Sequence, residues 1–320
     1  MQLAAVGVDL GGTKIAAALV DENGNMLQSL RVATDVDGGP SAVLQQIREL
    51  VSNIAHGRGV KIVGLGVGVA GQIEAGSGMV HFAPNLDWHE VPFQAQLSSA
   101  CRLPVIITND VRAITWGEWL FGAGRGCNDL ICVFVGTGIG GGIVVNGKIL
   151  NGCSNTAGEI GHLTVDLHGP RCTCGNYGCL EALAGGWGIA RQARQAVSDN
   201  PAAGAKLLQL AGGEQDKITA RMVADAHKGG DALAGNLLQE AGEALVAGMV
   251  SLVNAFNPCR LILGGGVIEG LSELVDRVRL GVRQQALAAA TSKLEVHTAR
   301  LGDDAGVIGA AALALQSFDK

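Results

Sequence analysis

The residues richest in chemistry in this 320-residue chain lie between Gly158 and Glu181. Gly158-Glu159-Ile160-Gly161-His162 is followed by Cys172-Thr173-Cys174-Gly175-Asn176-Tyr177-Gly178-Cys179-Leu180-Glu181. One histidine and three cysteines within eighteen residues have the donor types and spacing of a structural zinc site. His162, Cys172, Cys174 and Cys179 supply one nitrogen and three sulfurs, a closed tetrahedral set. Such a site contributes ~10–16 kcal/mol of apparent binding energy in zinc-finger peptides, enough to order a Gly-rich loop that has no core of its own. Fixing the loop would also fix Glu159 and Glu181, which bracket it.

Three glycine-rich stretches suit phosphate or a nucleotide. In Asp9-Leu10-Gly11-Gly12-Thr13-Lys14 an acidic residue closes an apolar run and Gly-Gly-Thr follows. The carboxylate can hold Mg²⁺ or its waters, Thr13 and the backbone can hold phosphate oxygens, and Lys14 adds a point charge. Gly136-Thr137-Gly138-Ile139-Gly140-Gly141 matches G-x-G-x-x-G, a dinucleotide fingerprint that needs a helix after the loop. Here Ile143-Val144-Val145-Asn146-Gly147 follows, a strand and a hairpin turn, so that reading is excluded. What remains is a loop over Gly136–Gly142 whose backbone N–H groups are unobstructed by Cβ atoms; a tight β-turn would have the same glycines. Gly264-Gly265-Gly266, after Leu261-Ile262-Leu263, is a third and weaker signal. Asn109-Asp110 follows the apolar run Pro104–Thr108. That puts a carboxylate at a strand end, where α/β proteins build sites, or at a helix N-cap.

The elements that must position these residues are legible in part. Ala4–Val8, Ile15–Val20 and Met26–Val32 read as strands around the first loop, and Leu130–Val135, Ile143–Val145 and Lys148–Leu150 repeat that grammar around the second. Ile62–Val69 and Pro104–Thr108 fit strands covered on both faces. Ser41–Ala55, Gly235–Phe256, Leu271–Leu287 and Gly306–Leu315 read as helices, and the polar stretch Ser198–Lys217 as a surface excursion. The expected class is α/β with mixed sheets in two halves.

Composition narrows the function. With 48% hydrophobic and 16% charged residues the chain can bury a large core. A net charge of −6 argues against nucleic acid or an anionic membrane as partner. No apolar segment is long enough to span a bilayer and no signal peptide is legible, so a cytoplasmic location is expected. Cys101, Cys127, Cys132, Cys153 and Cys259 are then expected to be reduced, buried thiols.

Asp9–Lys14, Gly136–Gly142, Gly158–His162 and the Cys172–Glu181 motif, in this order over essentially the entire chain, resemble the ROK family (repressors, open reading frames, sugar kinases). The resemblance is strongest to its bacterial glucokinases. It implies the two-lobed actin/hexokinase/Hsp70-like fold, a duplicated ribonuclease H-like architecture, with a structural zinc loop. The first lobe would run over 1–115 with the C-terminal helix 303–320 packed back on it, and the second over 116–302. Mg-ATP would be held by Asp9, Gly11, Gly12, Thr13, Lys14, Gly136, Thr137, Gly138 and the adenosine loop Gly264, Gly265 and Gly266. A hexose would contact Asn85, Asn109, Glu159, His162 and Glu181, with Asp110 as the base on its 6-hydroxyl. A free Asp has a pKa of ~3.9, so Asp110 would orient the hydroxyl and accept its proton late. Glucose is the expected substrate, with N-acetylmannosamine and N-acetylglucosamine as alternatives. The family is commonly dimeric, so a homodimer or higher homo-oligomer is expected.

Two other classes compete. Sugar-responsive repressors of the family carry an N-terminal helix-turn-helix, and Asp9 opens the phosphate loop too early in this sequence to leave room for one. A chaperone- or actin-like ATPase has no use for Glu159, Glu181 and the zinc loop.

Overall fold

The computed structural model describes residues 2–55 and 59–318. They divide into two compact units, one built from the chain up to Cys127 with 148–157 and the segment from 299 onward, the other from 128–147 and 158–298. Met1 and Lys320, the outer bounds of the expected first lobe, lie outside the described residues.

The first unit opens with the antiparallel strands β1 (Leu3–Leu10), β2 (Lys14–Asp21) and β3 (Met26–Ala33). Helix α1 (Gly39–Ala55) leads to β4 (Lys61–Val69), which pairs parallel to β1. A small sheet follows, of β5 (Gln72–Ile73), β6 (Val80–Ala83) and β7 (Trp88–Val91), then α2 (Phe93–Cys101), β8 (Val105–Asn109) and α3 (Asp110–Leu120). The main sheet has the order β3-β2-β1-β4-β8. Strand β1 is a continuous apolar run because both its faces are covered. Ala4, Val6, Val8 and Leu10 pack with Val43, Ile47 and Ile54 of α1, while Ala5 packs with Val307 and Ala311 of the C-terminal helix, Ala305–Phe318. Small residues set how near that helix comes. A Cβ on Gly309 would sit 1.7 Å from the Ala113 carbonyl oxygen of α3, so the two backbones are in contact.

The second unit repeats the plan. Strands β9 (Leu130–Val135), β10 (Ile139–Val145), β11 (Lys148–Ile149), β12 (Arg260–Gly264) and β13 (Glu295–Thr298) form a sheet in the order β11-β10-β9-β12-β13. In both sheets a hairpin of the two leading strands lies beside two parallel strands reached through helices, so the duplication legible in the glycine loops extends to the topology. Helices α4 (Leu180–Ala184), α5 (Gly186–Asp199), α6 (Ala205–Leu210), α7 (Ala220–Lys228), α8 (Ala232–Phe256), α9 (Gly266–Gly270), α10 (Glu273–Gln285) and α11 (Ala288–Thr291) complete this unit. No helix of the described residues is long and apolar enough to cross a membrane.

Two expectations need correction. Strand β10 begins at Ile139, so the loop is Gly136-Thr137-Gly138 and Gly140 to Gly142 belong to a strand. A Cβ on Gly141 would lie 2.2 Å from Ile160 Cδ1, so these glycines admit the segment that carries Glu159 and His162. Nor are the remaining cysteines uniformly buried thiols: Cys153 is exposed, Cys101 half-buried, and Cys127 and Cys259 are disulfide-bonded.

Candidate active site

In the first unit, carboxylates gather at strand ends. Asp9 pairs with Ala16 of β2 and with Gly68 of β4. Its carboxyl is pushed up to about 6, first by burial and then by the Asp110 carboxylate; Lys14 and Arg31 pull the other way. A divalent cation at this position would relieve both causes, so the residues suit the Mg²⁺ role expected of them. The Gly11-Gly12-Thr13 connection is held by the backbone. Gly11 N–H donates to the Lys14 carbonyl, Thr34 N–H to the Thr13 carbonyl, and the Thr34 hydroxyl to the Gly11 carbonyl. Gly12 and Asn85 are brought together: a Cβ on Gly12 would lie 2.4 Å from the Asn85 carbonyl oxygen. Asn85 itself sits in the short 3₁₀ turn Pro84–Leu86.

The helix cap falls on Asn109 and not on Asp110. Asn109 Oδ1 accepts from the Val111 and Arg112 N–H groups and its Nδ2 donates to the Gly71 carbonyl. Asp110 is therefore the first residue inside α3, where the helix dipole favours a carboxylate. Two supports escape a reading of the sequence. Buried Arg112 donates to the Asn155 side chain and to the Asn155 and Ala157 carbonyls. Buried Glu118 accepts from the N–H groups of Ala123, Arg300 and Leu301, which ties α3 to the chain ahead of the C-terminal helix.

In the second unit, Gly136-Thr137-Gly138 is a hairpin turn braced from below by α5. Gly186 N–H donates to the Gly136 carbonyl and Trp187 N–H to the Thr137 carbonyl, both at 2.9 Å. Gly264 ends β12 and Gly266 opens α9. Gly265 between them has φ +90°, and a Cβ there would lie 2.6 Å from the Val135 carbonyl oxygen, so no side chain fits. Beside these turns lies a cavity of about 810 Å³ lined by Gly136, Thr137, Trp187, Arg194, Lys228 and Gly266 among others. Its size, glycine backbone and basic side chains suit a nucleotide.

The four candidate metal ligands converge. Their donor atoms all lie within 4.8 Å of one another. Cys172 Sγ is 3.7 Å from His162 Nδ1, and Cys174 Sγ is 3.7 Å from Cys179 Sγ. Zn–S bonds of ~2.3 Å in a tetrahedron would put sulfurs about 3.8 Å apart, so the residues fit zinc. Burial first, then the adjacent Cys174 and Cys172 thiols, push Cys179 up to about 12. A metal would have to displace that proton. The loop is short of regular structure: two isolated bridges, Thr164 with Cys179 and Arg171 with Tyr177, are its ladder. Cys179 is also the residue preceding α4, so the last ligand leads into the helix that carries Glu181. Glu181 Oε2 accepts from Ile139 N–H at 2.8 Å and its Oε1 accepts from Trp187 Nε1 at 3.0 Å. Glu159, before the 3₁₀ turn Ile160–His162, has an exposed side chain. Lys14 is exposed as well.

The ROK family model matches residues 5–317. The glucokinase of Streptomyces coelicolor is 36% identical over 310 residues, 97% of this chain and 96% of that protein. The N-acetylmannosamine kinase of Salmonella paratyphi B is 32% identical over 316 residues, 97% of each chain. A solved ROK family glucokinase from Streptomyces griseus, in complex with glucose and AMPPNP, superposes with a TM-score of 0.80 at 36% identity, covering 98% of this chain and 99% of that one. The chain thus has the fold of the hexokinase-like phosphotransferases. A match that runs nearly end to end, with the family's motifs in place, settles the affiliation: this protein belongs to the ROK family.

Proposed function

We propose that the protein is an ATP-dependent hexose kinase that phosphorylates glucose at the 6-hydroxyl. The observation that carries this reading is the juxtaposition of Asp9 of β1 and Asp110 of the first turn of α3 on either side of Gly68: Asp9 pairs with Gly68, and a Cβ there would lie 3.4 Å from Asp110 Cα. One carboxylate of such a pair suits a cation and the other a substrate proton. Asp110 orients the 6-hydroxyl, whose oxygen attacks the γ-phosphorus as the bond to the ADP oxygen breaks, and accepts the proton as the new bond forms. Asp9 would hold Mg²⁺, which supplies charge neutralisation to the phosphates when bound. Gly11, Gly12 and Thr13 with Lys14, and Gly136, Thr137 and Gly138, offer backbone and side-chain donors to the phosphates. Gly264, Gly265 and Gly266 admit the adenosine beside the cavity of the second unit.

In this reading the sugar-contacting residues are Asn85, Asn109, Glu159, His162 and Glu181. The ring hydroxyls donate and accept, so carboxylates, amides and an imidazole satisfy them, and a sugar that leaves one unpaired is rejected. Asn109 keeps one Nδ2 hydrogen beyond its bond to Gly71 and can serve the cap and the sugar together. Zinc on His162, Cys172, Cys174 and Cys179 is structural in this reading and acts by fixing the segment that bears these groups. A homo-oligomer and a cytoplasmic location belong to the same reading; Leu280 and Leu287, 59% and 65% exposed, are apolar surface that such an assembly would cover.

The test is Mg-ATP-dependent ADP release with glucose, N-acetylmannosamine, N-acetylglucosamine, mannose and fructose. Turnover with glucose above the others is the expected outcome. Preference for N-acetylmannosamine would move the assignment to the activity of the Salmonella relative. No turnover with any hexose from zinc-loaded protein would contradict the kinase.

A further inference from the structure

Glu181 does not stand alone beside the zinc loop. Its Oε1 is held by the indole N–H of Trp187, and that residue also meets the zinc loop, the phosphate hairpin and the cavity lining. The Trp187 ring packs against Cys172, Cys179 and Ala182, so it leans on two of the four metal ligands. Its backbone N–H donates to the Thr137 carbonyl in the phosphate hairpin. The same residue is part of the lining of the 810 Å³ cavity. The Arg191 guanidinium lies 4.9 Å from the ring centroid, and the same arginine donates to the Arg171 carbonyl, next to Cys172, and to the Ala182 carbonyl. One residue thus meets the zinc loop and the Glu181 carboxylate through its indole, the hairpin through its backbone N–H, and the cavity as part of its lining.

We infer that Trp187 is a positioning residue through which occupancy of the nucleotide cavity tightens hexose binding. The inference rests on the kinase reading. The carboxylate of Glu181 has one oxygen bound to the first residue of β10, through Ile139 N–H, and the other bound to the side chain of a residue that helps line the cavity. Each oxygen retains a second lone pair for a sugar hydroxyl. A nucleotide seated against this residue, and against the hairpin its backbone is bonded to, would hold the indole and the carboxylate oxygen bonded to it in one arrangement, so the hexose no longer bears the cost of ordering the carboxylate. Coupling of this kind is reciprocal: the hexose must tighten nucleotide binding by the same factor.

The experiment compares wild-type protein with Trp187→Phe, both zinc-loaded. Phenylalanine keeps an aromatic ring and loses the N–H donor. Glucose affinity is measured by calorimetry without and with saturating AMPPNP. In the wild type the nucleotide is expected to tighten glucose binding by about 5-fold or more, within the usual span of coupling between two sites. In the variant that factor, measured at saturating AMPPNP, is expected to fall to within about 2-fold of unity. An equal coupling factor in the two proteins overturns the role of Trp187 and leaves the kinase reading standing. A wild-type protein that binds no glucose overturns both. A second readout does not depend on the variant's folding. In wild-type protein labelled with 5-fluorotryptophan, the Trp187 resonance, assigned by replacing Trp88, Trp116 and Trp119 in turn, is expected to shift on adding glucose alone and again on adding AMPPNP. A resonance that ignores glucose overturns the link.

Discussion

The two units share one sheet order but build their functional edges by different means. In the first, the two carboxylates and the capping amide hang on regular structure: Asp9 on β1, Asn109 at the end of β8, Asp110 at the first turn of α3. In the second, the equivalent hairpin is glycine-rich with Thr137 at its turn, and the polar groups beside it come from a 159–181 segment with two isolated bridges for a ladder. Hydrogen bonds of strands and a helix cap position the first set. The Trp187–Glu181 bond and, in the proposed reading, a metal on His162, Cys172, Cys174 and Cys179 position the second. A carboxylate that takes a proton must be held to a fraction of an ångström, and a rigid sheet edge does that. Groups that choose among sugars are better placed on a loop, whose sequence can change without disturbing the sheet.

Removing the metal should separate the two units most sharply. Chelation, or Cys179→Ser, is expected to lower hexose-dependent turnover by at least ~100-fold, since a structural zinc carries ~10–16 kcal/mol of ordering free energy. Hydrogen exchange should rise over 159–181 while β1, β4 and β8 stay protected. Acid should mimic chelation, because protons compete with the metal for the Cys179 thiol, whose pKa without metal is pushed up to about 12. Loss of protection in the first sheet would break the comparison.

The first unit should break in the opposite manner. Gly309→Ala would put a methyl 1.7 Å from the Ala113 carbonyl oxygen, with backbone on both sides and no side chain to yield. Global stability is expected to fall by about 3–5 kcal/mol in a denaturant melt, with zinc content unchanged.

A smaller effect sits in Asp9. Its folded pKa, about 6, lies above the value near 3.8 of an unperturbed carboxyl. The native state therefore holds the proton more tightly than the unfolded chain, and stability is full below pH ~4 and lost as pH rises through ~6. The loss approaches about 3 kcal/mol above pH 6 in the metal-free protein. Asp9→Asn is expected to abolish that slope and raise the melting temperature at pH 7.5 while turnover falls, and Mg²⁺ with nucleotide should reduce the slope in the wild type. A variant no more stable than wild type at pH 7.5 would show that Asp9 is not a strained group.

How far this division could be read from the sequence depends on whether a residue's role is fixed by its type or by distant neighbours. Metal ligation demands Cys and His, so Cys172, Cys174, Cys179 and His162 are legible at once, and the carboxylate of Asp9 beside Gly-Gly-Thr nearly so. The boundary at Ile139 is not, because glycine signals a loop unless one knows that Ile160 packs on Gly141. Asn109 and Asp110 both suit a cap, and the choice between them is made by backbone direction at the end of β8. Strands β5 to β7 are too short to show a period. Glu118 and Trp187 look like an ordinary helix acid and a core aromatic. Two of the N–H groups that Glu118 binds belong to residues 182 and 183 positions further along the chain, a relation no local pattern carries. For Trp187 the partners are near in sequence, but its pairing with Glu181 requires the turn between α4 and α5 to point the indole back.

The division of labour itself is tested by measuring glucose Kd and kcat for Asp110→Asn and Glu181→Gln side by side. Asp110→Asn is expected to lower kcat by about 10³-fold or more with glucose Kd within about 3-fold of wild type, because it removes the proton acceptor alone. Glu181→Gln is expected to weaken glucose Kd about 10-fold or more with kcat largely retained. Full turnover in Asp110→Asn, or loss of the same parameter in both variants, would contradict an account in which the first unit does the chemistry and the second selects the sugar.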